Sequence, residues 1–217
     1  MSFKTENLQE ILLENYKFPI DPLPSASWKI IKNSPYLQLL KSVYEELGGI
    51  DNMFDIQPNR WQLEFEGLAI ELDEQLHFNK YRRATLRSEA YDDYKGFSIN
   101  NYRTYCRKFD KECLKSGLSG NNWTDKVSEK HFGKPEERGD LGGNGSPKWK
   151  LRAFQDYLKD ISSKVLPVKF LRIAIWEEIM INRQLVKMNQ ILTMPTEETS
   201  KALLQHIERR IKIIDAQ

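Results

Sequence analysis

WQLEFEGLAIELDEQLHF, residues 61–78, decides the fold. Trp61, Leu63 and Phe65 alternate with Gln62, Glu64 and Glu66, which is the period of a strand buried on one side. Glu66-Gly67 suits a two-residue turn. Beyond it Leu68, Ile70 and Leu72 face one way, and Ala69, Glu71 and Asp73 face the other. Pairing Phe65 with Leu68 sets Glu64 opposite Ala69 and diagonal to Glu71. Diagonal neighbours on a hairpin lie roughly 7 Å apart, close enough for two carboxylates to share one divalent cation. The polar stripe continues through Gln75 to His77, and the whole reads as a metal-dependent hydrolytic site.

To the N-terminal side, Leu8, Ile11 and Leu12 fall at helical spacing before a breaker at Pro19, Pro22 and Pro24. Ser34-Pro35 opens a second helix, with Tyr36, Leu37, Leu40, Val43 and Leu47 on one face and Gly48-Gly49 at its end. Met53 to Ile56 reads as a short strand. To the C-terminal side, residues 88–147 change character, being rich in aromatic, charged and glycine residues, and end in GKPEERGDLGGNGSPKW. This reads as an insertion with helical pieces and a long mobile segment over the site. Residues 148–163 return to helix, and VLPVKFLRIAIW (165–176) is the clearest buried strand. From about residue 196 to 216 an amphipathic helix carries the stripe Leu203, Leu204, Ile207, Ile211 and Ile214, with acids early and bases late as the helix dipole favours. The order of helices and strands predicts a single domain over 1–217 that is a mixed α/β sandwich around a small sheet.

Composition narrows the class. A 217-residue chain that is 40% hydrophobic holds an ample core. No run approaches the roughly 18 apolar residues of a membrane span, and the N-terminus lacks the uninterrupted hydrophobic stretch of a secretory signal. Cys106 and Cys113 are too few to staple a fold of this size, so free thiols in the cytoplasm are expected. Net charge is +2, from 33 basic and 31 acidic residues, so bulk charge does not argue for nucleic acid. Local charge is more telling. NKYRRATLRS (79–88) carries Lys80, Arg82, Arg83 and Arg87 with no acid, directly after the carboxylate stripe. Such a cluster neutralises phosphates or forms a solvated basic helix face.

IELDEQLHF resembles the acidic strand followed by histidine of very-short-patch-repair-like endonucleases, which belong to the restriction-endonuclease-like, PD-(D/E)xK superfamily. KWKLRAFQDYLKD and VKFLRIAIWEE are similar to the helix and closing strand of that group. The resemblance covers about residues 34–79 and 148–178. It implies an αβββαβ core with a large insertion and extra N- and C-terminal helices. It also implies Mg²⁺- or Mn²⁺-dependent hydrolysis of DNA phosphodiesters, in restriction, repair or anti-phage defence. Glu64 and Glu71 would be the metal ligands, and Asp73, Gln75 and His77 would complete the catalytic site. Lys80, Arg82, Arg83 and Arg87, with Lys150 and Arg152 on the later helix, would grip the strand. The chain departs from the pattern in two places: the first acid is Glu64, and Glu71-Leu72-Asp73 has no lysine in third position. The acid often supplied by the first helix has no clear counterpart; Glu45 and Glu46 sit late in it.

These departures motivate an alternative, a catalytically silent nuclease-fold protein that binds DNA or serves in a larger complex, with the C-terminal helix as a homodimer or partner interface. A protein-interaction module unrelated to nucleic acid is a third reading. A half-buried hairpin alternates in this way with no ligand at all. Three acids on one face with no interleaved lysine repel one another, however, and a cation would relieve them. Cys106, Cys113 and His131 lack zinc-knuckle spacing. The glycines around residues 139–145 match neither a P-loop nor a dinucleotide fingerprint. Tyr91, Tyr94, Phe97, Tyr102 and Tyr105 fall near helical spacing and are expected in the core.

Overall fold

The computed structural model describes residues 2–216 and builds the hairpin in the register that the alternation dictates. Strands β1 (Leu63–Phe65) and β2 (Leu68–Asp73) pair antiparallel, Phe65 with Leu68 and Glu64 with Ala69. Gly67 takes φ +71°, the left-handed value that closes the turn. Before the hairpin come α1 (Phe3–Leu12), α2 (Trp28–Ile31) and α3 (Leu37–Glu46). After it come α4 (Lys80–Thr85), α5 (Ile99–Lys108), α6 (Asp110–Gly117), α7 (Lys126–Phe132) and the long α8 (Pro147–Val165). Strand β3 (Lys169–Ala174) follows, then β4 (Glu178–Ile181), β5 (Gln184–Lys187), α9 (Met188–Thr193) and α10 (Glu197–Asp215). The class is mixed α/β, with a three-stranded sheet in the order β1-β2-β3 and a separate β4-β5 hairpin.

Strand β3 lies parallel to β2, Glu71 opposite Arg172 and Asp73 opposite Ala174. A parallel pair needs a long connection, and the crossover here contains α4 to α8. Ser146 starts α8: its hydroxyl accepts from the Trp149 N–H at 3.2 Å and donates to the Trp123 carbonyl at 2.6 Å, with Pro147 in the first turn. One face of the sheet, with Ile70, Leu72, Leu171 and Ile173, is apolar and fully buried. Helix α10 packs on β3 and β4, and α1 on α9 and α10. The other face turns Glu71, Asp73 and Arg172 towards α8. The free edge of β3 is capped where the Arg172 N–H donates to the Gly96 carbonyl at 3.1 Å.

Three expectations are corrected. Met53–Asp55 is a 3₁₀ turn capped by the Asn52 side chain, not a strand, so two strands rather than three precede the crossover. The strand stops at Asp73, and Gln75–His77 is a 3₁₀ turn, so the strand alternation does not reach His77. The glycine-rich end of the insertion is fastened. Asn144 donates to the Phe132 and Lys134 carbonyls at 2.8 and 2.6 Å and accepts from Lys150 at 2.5 Å. The apolar stripe of α10 buries Leu203, Leu204 and Ile207 in the core and leaves Ile211 and Ile214 half-buried towards its end. Among the described residues no helix is long and apolar enough to cross a membrane.

Candidate metal centre at the sheet–helix junction

A sheet normally meets a helix through apolar side chains, but this one meets α8 through charges. Alternation along β2 puts Glu71 and Asp73 on one face, and the parallel register sets Arg172 beside them. Asp156, Lys159 and Asp160 follow one another at helical spacing on the facing side of α8. The Lys159 ammonium reaches both Glu71 oxygens at 2.7 Å. Arg172 forks among three acids: Asp73 Oδ1 at 2.7 Å, Asp160 Oδ1 at 2.6 Å and Asp156 Oδ1 at 3.5 Å. Arg82 donates to Asp160 Oδ2 at 2.7 Å, and the Tyr91 hydroxyl donates to the same oxygen at 2.5 Å. Every one of these side chains lies within the interior, and Asp160 and Arg172 are 0% exposed. Burial at this depth is tolerable only because each charge meets an opposite one.

His77 occupies the rim, with 23% of its side chain exposed. Asn79 caps α4 with hydrogen bonds from the Tyr81 and Arg82 N–H groups, which fixes the turn that carries the histidine. The Nδ1 atom of His77 lies 2.7 Å from Asp156 Oδ2 and 3.4 Å from Asp73 Oδ1. The second Asp73 oxygen, Oδ2, is buried without a hydrogen-bond partner. Asp73, His77 and Asp156 each offer one ligand atom, all within 4.8 Å of one another.

The electrostatics follow from the packing. Burial alone would raise the Asp156 carboxyl, but the His77 imidazole and the Arg172 guanidinium outweigh it and hold that acid well below the usual carboxylate range. Glu71 goes the other way. Burial raises its carboxyl by more than Lys159 and Arg172 lower it. Burial opposes the charge on Arg172, and Asp160, Asp73 and Asp156 together keep it protonated. Four acids thus face three basic side chains, Lys159, Arg172 and Arg82, with His77 at the rim.

The sequence-predicted residues separate. Asp73 and His77 meet at 3.4 Å, whereas Glu71, expected as a metal ligand, lies outside that cluster with both oxygens bound to Lys159. Glu64 does not join them; its carboxylate accepts from the Leu23 N–H at 2.9 Å. Gln75 is half-buried at the start of the 3₁₀ turn. Arg82 is 1% exposed and committed to Asp160, so it cannot grip a strand. Lys80 is bound to the Leu141 carbonyl and Lys150 to Asn144, while Arg152 sits half-buried on α8. Arg83 and Arg87 point into an open groove. Glu46 pairs with Arg87, far from the carboxylates of the centre in role and setting. Cys106 and Cys113 are buried free thiols that burial pushes up to about 12, and His131 bonds to Tyr44 instead of to them. The aromatic run is core: Tyr91, Phe97 and Tyr102 are buried and pack ring against ring.

Asp156, Lys159, Asp160 and Arg172 escaped the sequence reading. The signal was present. FQDYLKD sets two acids four residues apart beside a lysine, and a lone arginine inside KFLRIA must find a buried carboxylate.

The fold and this junction define a mixed α/β protein built on a buried ionic network with one histidine at its rim. Residues 42–194 match the model of a family of unknown function, DUF7255, and the chain belongs to that family. No curated protein matches it, and no solved structure does.

Proposed function

We propose that this protein is a divalent-metal-dependent endonuclease acting on DNA phosphodiesters, of the restriction-endonuclease-like PD-(D/E)xK kind. The observation that carries the proposal is the convergence of Asp73, His77 and Asp156 beside an unpartnered, buried Asp73 Oδ2. The sheet-crossover-sheet order of β1, β2, α8 and β3 supports it, with one strand fewer than the αβββαβ core. The lysine missing from the third motif position is supplied in space by Lys159 from α8.

The carboxylates of Asp73 and Asp156 fit Mg²⁺ or Mn²⁺ with water completing the sphere, which leaves His77 off the cation. Bound there, the cation would polarise a phosphoryl oxygen and acidify a water. The chain's own groups do the rest. Asp73 and Asp156 supply hard oxygen ligands. His77, exposed at the rim and oriented by Asp156, takes the proton from the attacking water. Arg172 holds both aspartates in place from behind, and Lys159 binds both Glu71 oxygens beside them.

One observation favours a second reading, the catalytically silent protein. Arg172 already satisfies three acids, and Asp73 is 1% exposed, so the same groups also make a closed structural network. Supercoiled plasmid in Mg²⁺, Mn²⁺ or EDTA separates the two. The nuclease reading expects metal-dependent nicking that falls by about 100-fold or more in His77→Ala, in a variant that still melts cooperatively. An intact plasmid in every metal, with the protein folded, establishes the silent reading instead.

A further inference from the structure

Away from the ionic centre, two pairs of arginines face each other across a groove of about 780 Å³ between α4 and α5. Arg83 and Arg87 stand four residues apart on and just after α4, and Arg103 and Arg107 four apart on α5. Each pair therefore spans about 6 Å along its helix. Asn100 and Thr104 complete the lining with neutral polar groups. Four guanidiniums around one groove repel one another, so the question is what neutralises them.

The protein supplies little. Among the described residues neither Arg83 nor Arg107 meets a carboxylate at ion-pair distance. Arg103 uses Nε and Nη2 on the Leu86 carbonyl, at 3.2 and 2.6 Å, which closes the end of α4 but leaves its charge uncompensated. Arg87 pairs with Glu46 at the surface, where the two side chains are 58% and 41% exposed. An exposed pair of this kind is worth little and exchanges readily for another anion. The groove is wide and open, and arginine, asparagine and threonine are the side chains that hold phosphate oxygens without reading bases. Helix α4 begins three residues after His77 and carries Arg83, the first groove arginine, one turn further on.

We propose that this groove binds the phosphodiester backbone of a nucleic acid independently of sequence, with Arg83, Arg87, Arg103 and Arg107 as its phosphate contacts. The inference rests on the nuclease reading for its role, as the track that leads a strand to the centre.

The test is fluorescence anisotropy of a labelled DNA duplex in EDTA, from about 50 to 200 mM salt, beside inorganic phosphate as a competitor. Wild-type protein is expected to bind with steep salt dependence. Arg83→Ala/Arg107→Ala should weaken binding about 10-fold or more at the low-salt end and flatten the log–log salt slope by about 2. Arg83→Lys/Arg107→Lys should keep most of the affinity, which separates lost charge from lost folding. Unchanged affinity and slope in the alanine pair overturns the proposal, as does wild-type protein that binds no duplex at low salt. Displacement by inorganic phosphate beyond that of chloride at equal ionic strength also overturns it, in favour of a small-anion site. Because binding is read without metal, a protein that binds through the groove but never cuts overturns the nuclease reading alone. A protein that cuts while the alanine pair binds as wild type overturns the groove alone.

Discussion

At the scale of single residues, the Glu71–Lys159 pair shows how a buried charge depends on its partner. Lys159→Met leaves a carboxylate 5% exposed with no ammonium beside it, a loss of about 3–5 kcal/mol when a buried pair is broken on one side. The loss should depend on pH. Burial already raises the Glu71 carboxyl, and without Lys159 it rises further above its unfolded value of about 4.3. The folded state then keeps a proton that the unfolded state has released. Stability is therefore fully present below about 4.3 and falls as pH climbs through the folded value. Urea unfolding should show a larger deficit at pH 8 than at pH 5, and Glu71→Gln/Lys159→Met should recover much of it. A deficit equal at both pH values would mean that Glu71 stays ionised without its partner. Glu71, Asp73 and His77 were legible in the sequence because they are close together and polar. Their partners were not, because Asp156, Lys159 and Arg172 arrive 79, 88 and 99 residues later. Lys159 of α8 and Arg172 of β3 thus reach the acids of β2 from segments that no local pattern around residues 61–78 reveals.

At the scale of elements, legibility follows the strength of local chemistry. The β1-β2 hairpin was legible down to its register, since a one-residue slip would turn Glu71 into the apolar layer and Ile70 and Leu72 into the ionic one. The β4-β5 hairpin was not. Its turn, Asn182-Arg183, lacks glycine, and its strands alternate weakly, with Met180 and Leu185 exposed. Both turn residues nonetheless take left-handed values, φ 48° and 65°, the conformation of a two-residue hairpin turn that favours Asn-Gly. An arginine held there is strained by roughly 1–2 kcal/mol, partly offset by the backbone entropy that glycine loses on folding. Arg183→Gly should therefore stabilise the protein by about 0.5 kcal/mol, seen as a small rise in the urea midpoint at constant slope. A fall in the midpoint would mean that the Arg183 side chain holds the hairpin through contacts that outweigh its strain. The mistaken strand at 53–56 has the same lesson. Four residues carry too little periodicity to outvote one capping side chain, and Asn52 turns the chain by accepting from the Phe54 N–H at 3.3 Å.

Across the whole molecule, the sheet separates two unlike interfaces. Towards α8 it is held by charges that must be satisfied together, and such a junction fixes geometry more than it adds stability. Towards α1, α9 and α10 it is held by apolar burial. The family match spans 42–194 and so leaves out both α1 and α10, yet those two helices pack on each other, and α10 on β3. Leu203, Leu204 and Ile207 are 0–5% exposed, and burying three such side chains contributes on the order of 6 kcal/mol. Arg210 adds hydrogen bonds to the Gly96 and Arg172 carbonyls and an ion pair to Glu177 at 3.1 Å. A domain of this size has about 5–15 kcal/mol of stability in total, so the matched segment should not stand without its last helix. A chain ending at residue 195 should show no cooperative thermal transition by circular dichroism and should bind a hydrophobic dye at room temperature, while the full chain melts in one step. A cooperative transition in the shortened chain near that of the full one would place the stabilising core on the α8 side of the sheet and make the ionic junction, rather than the apolar layer, the foundation of the fold.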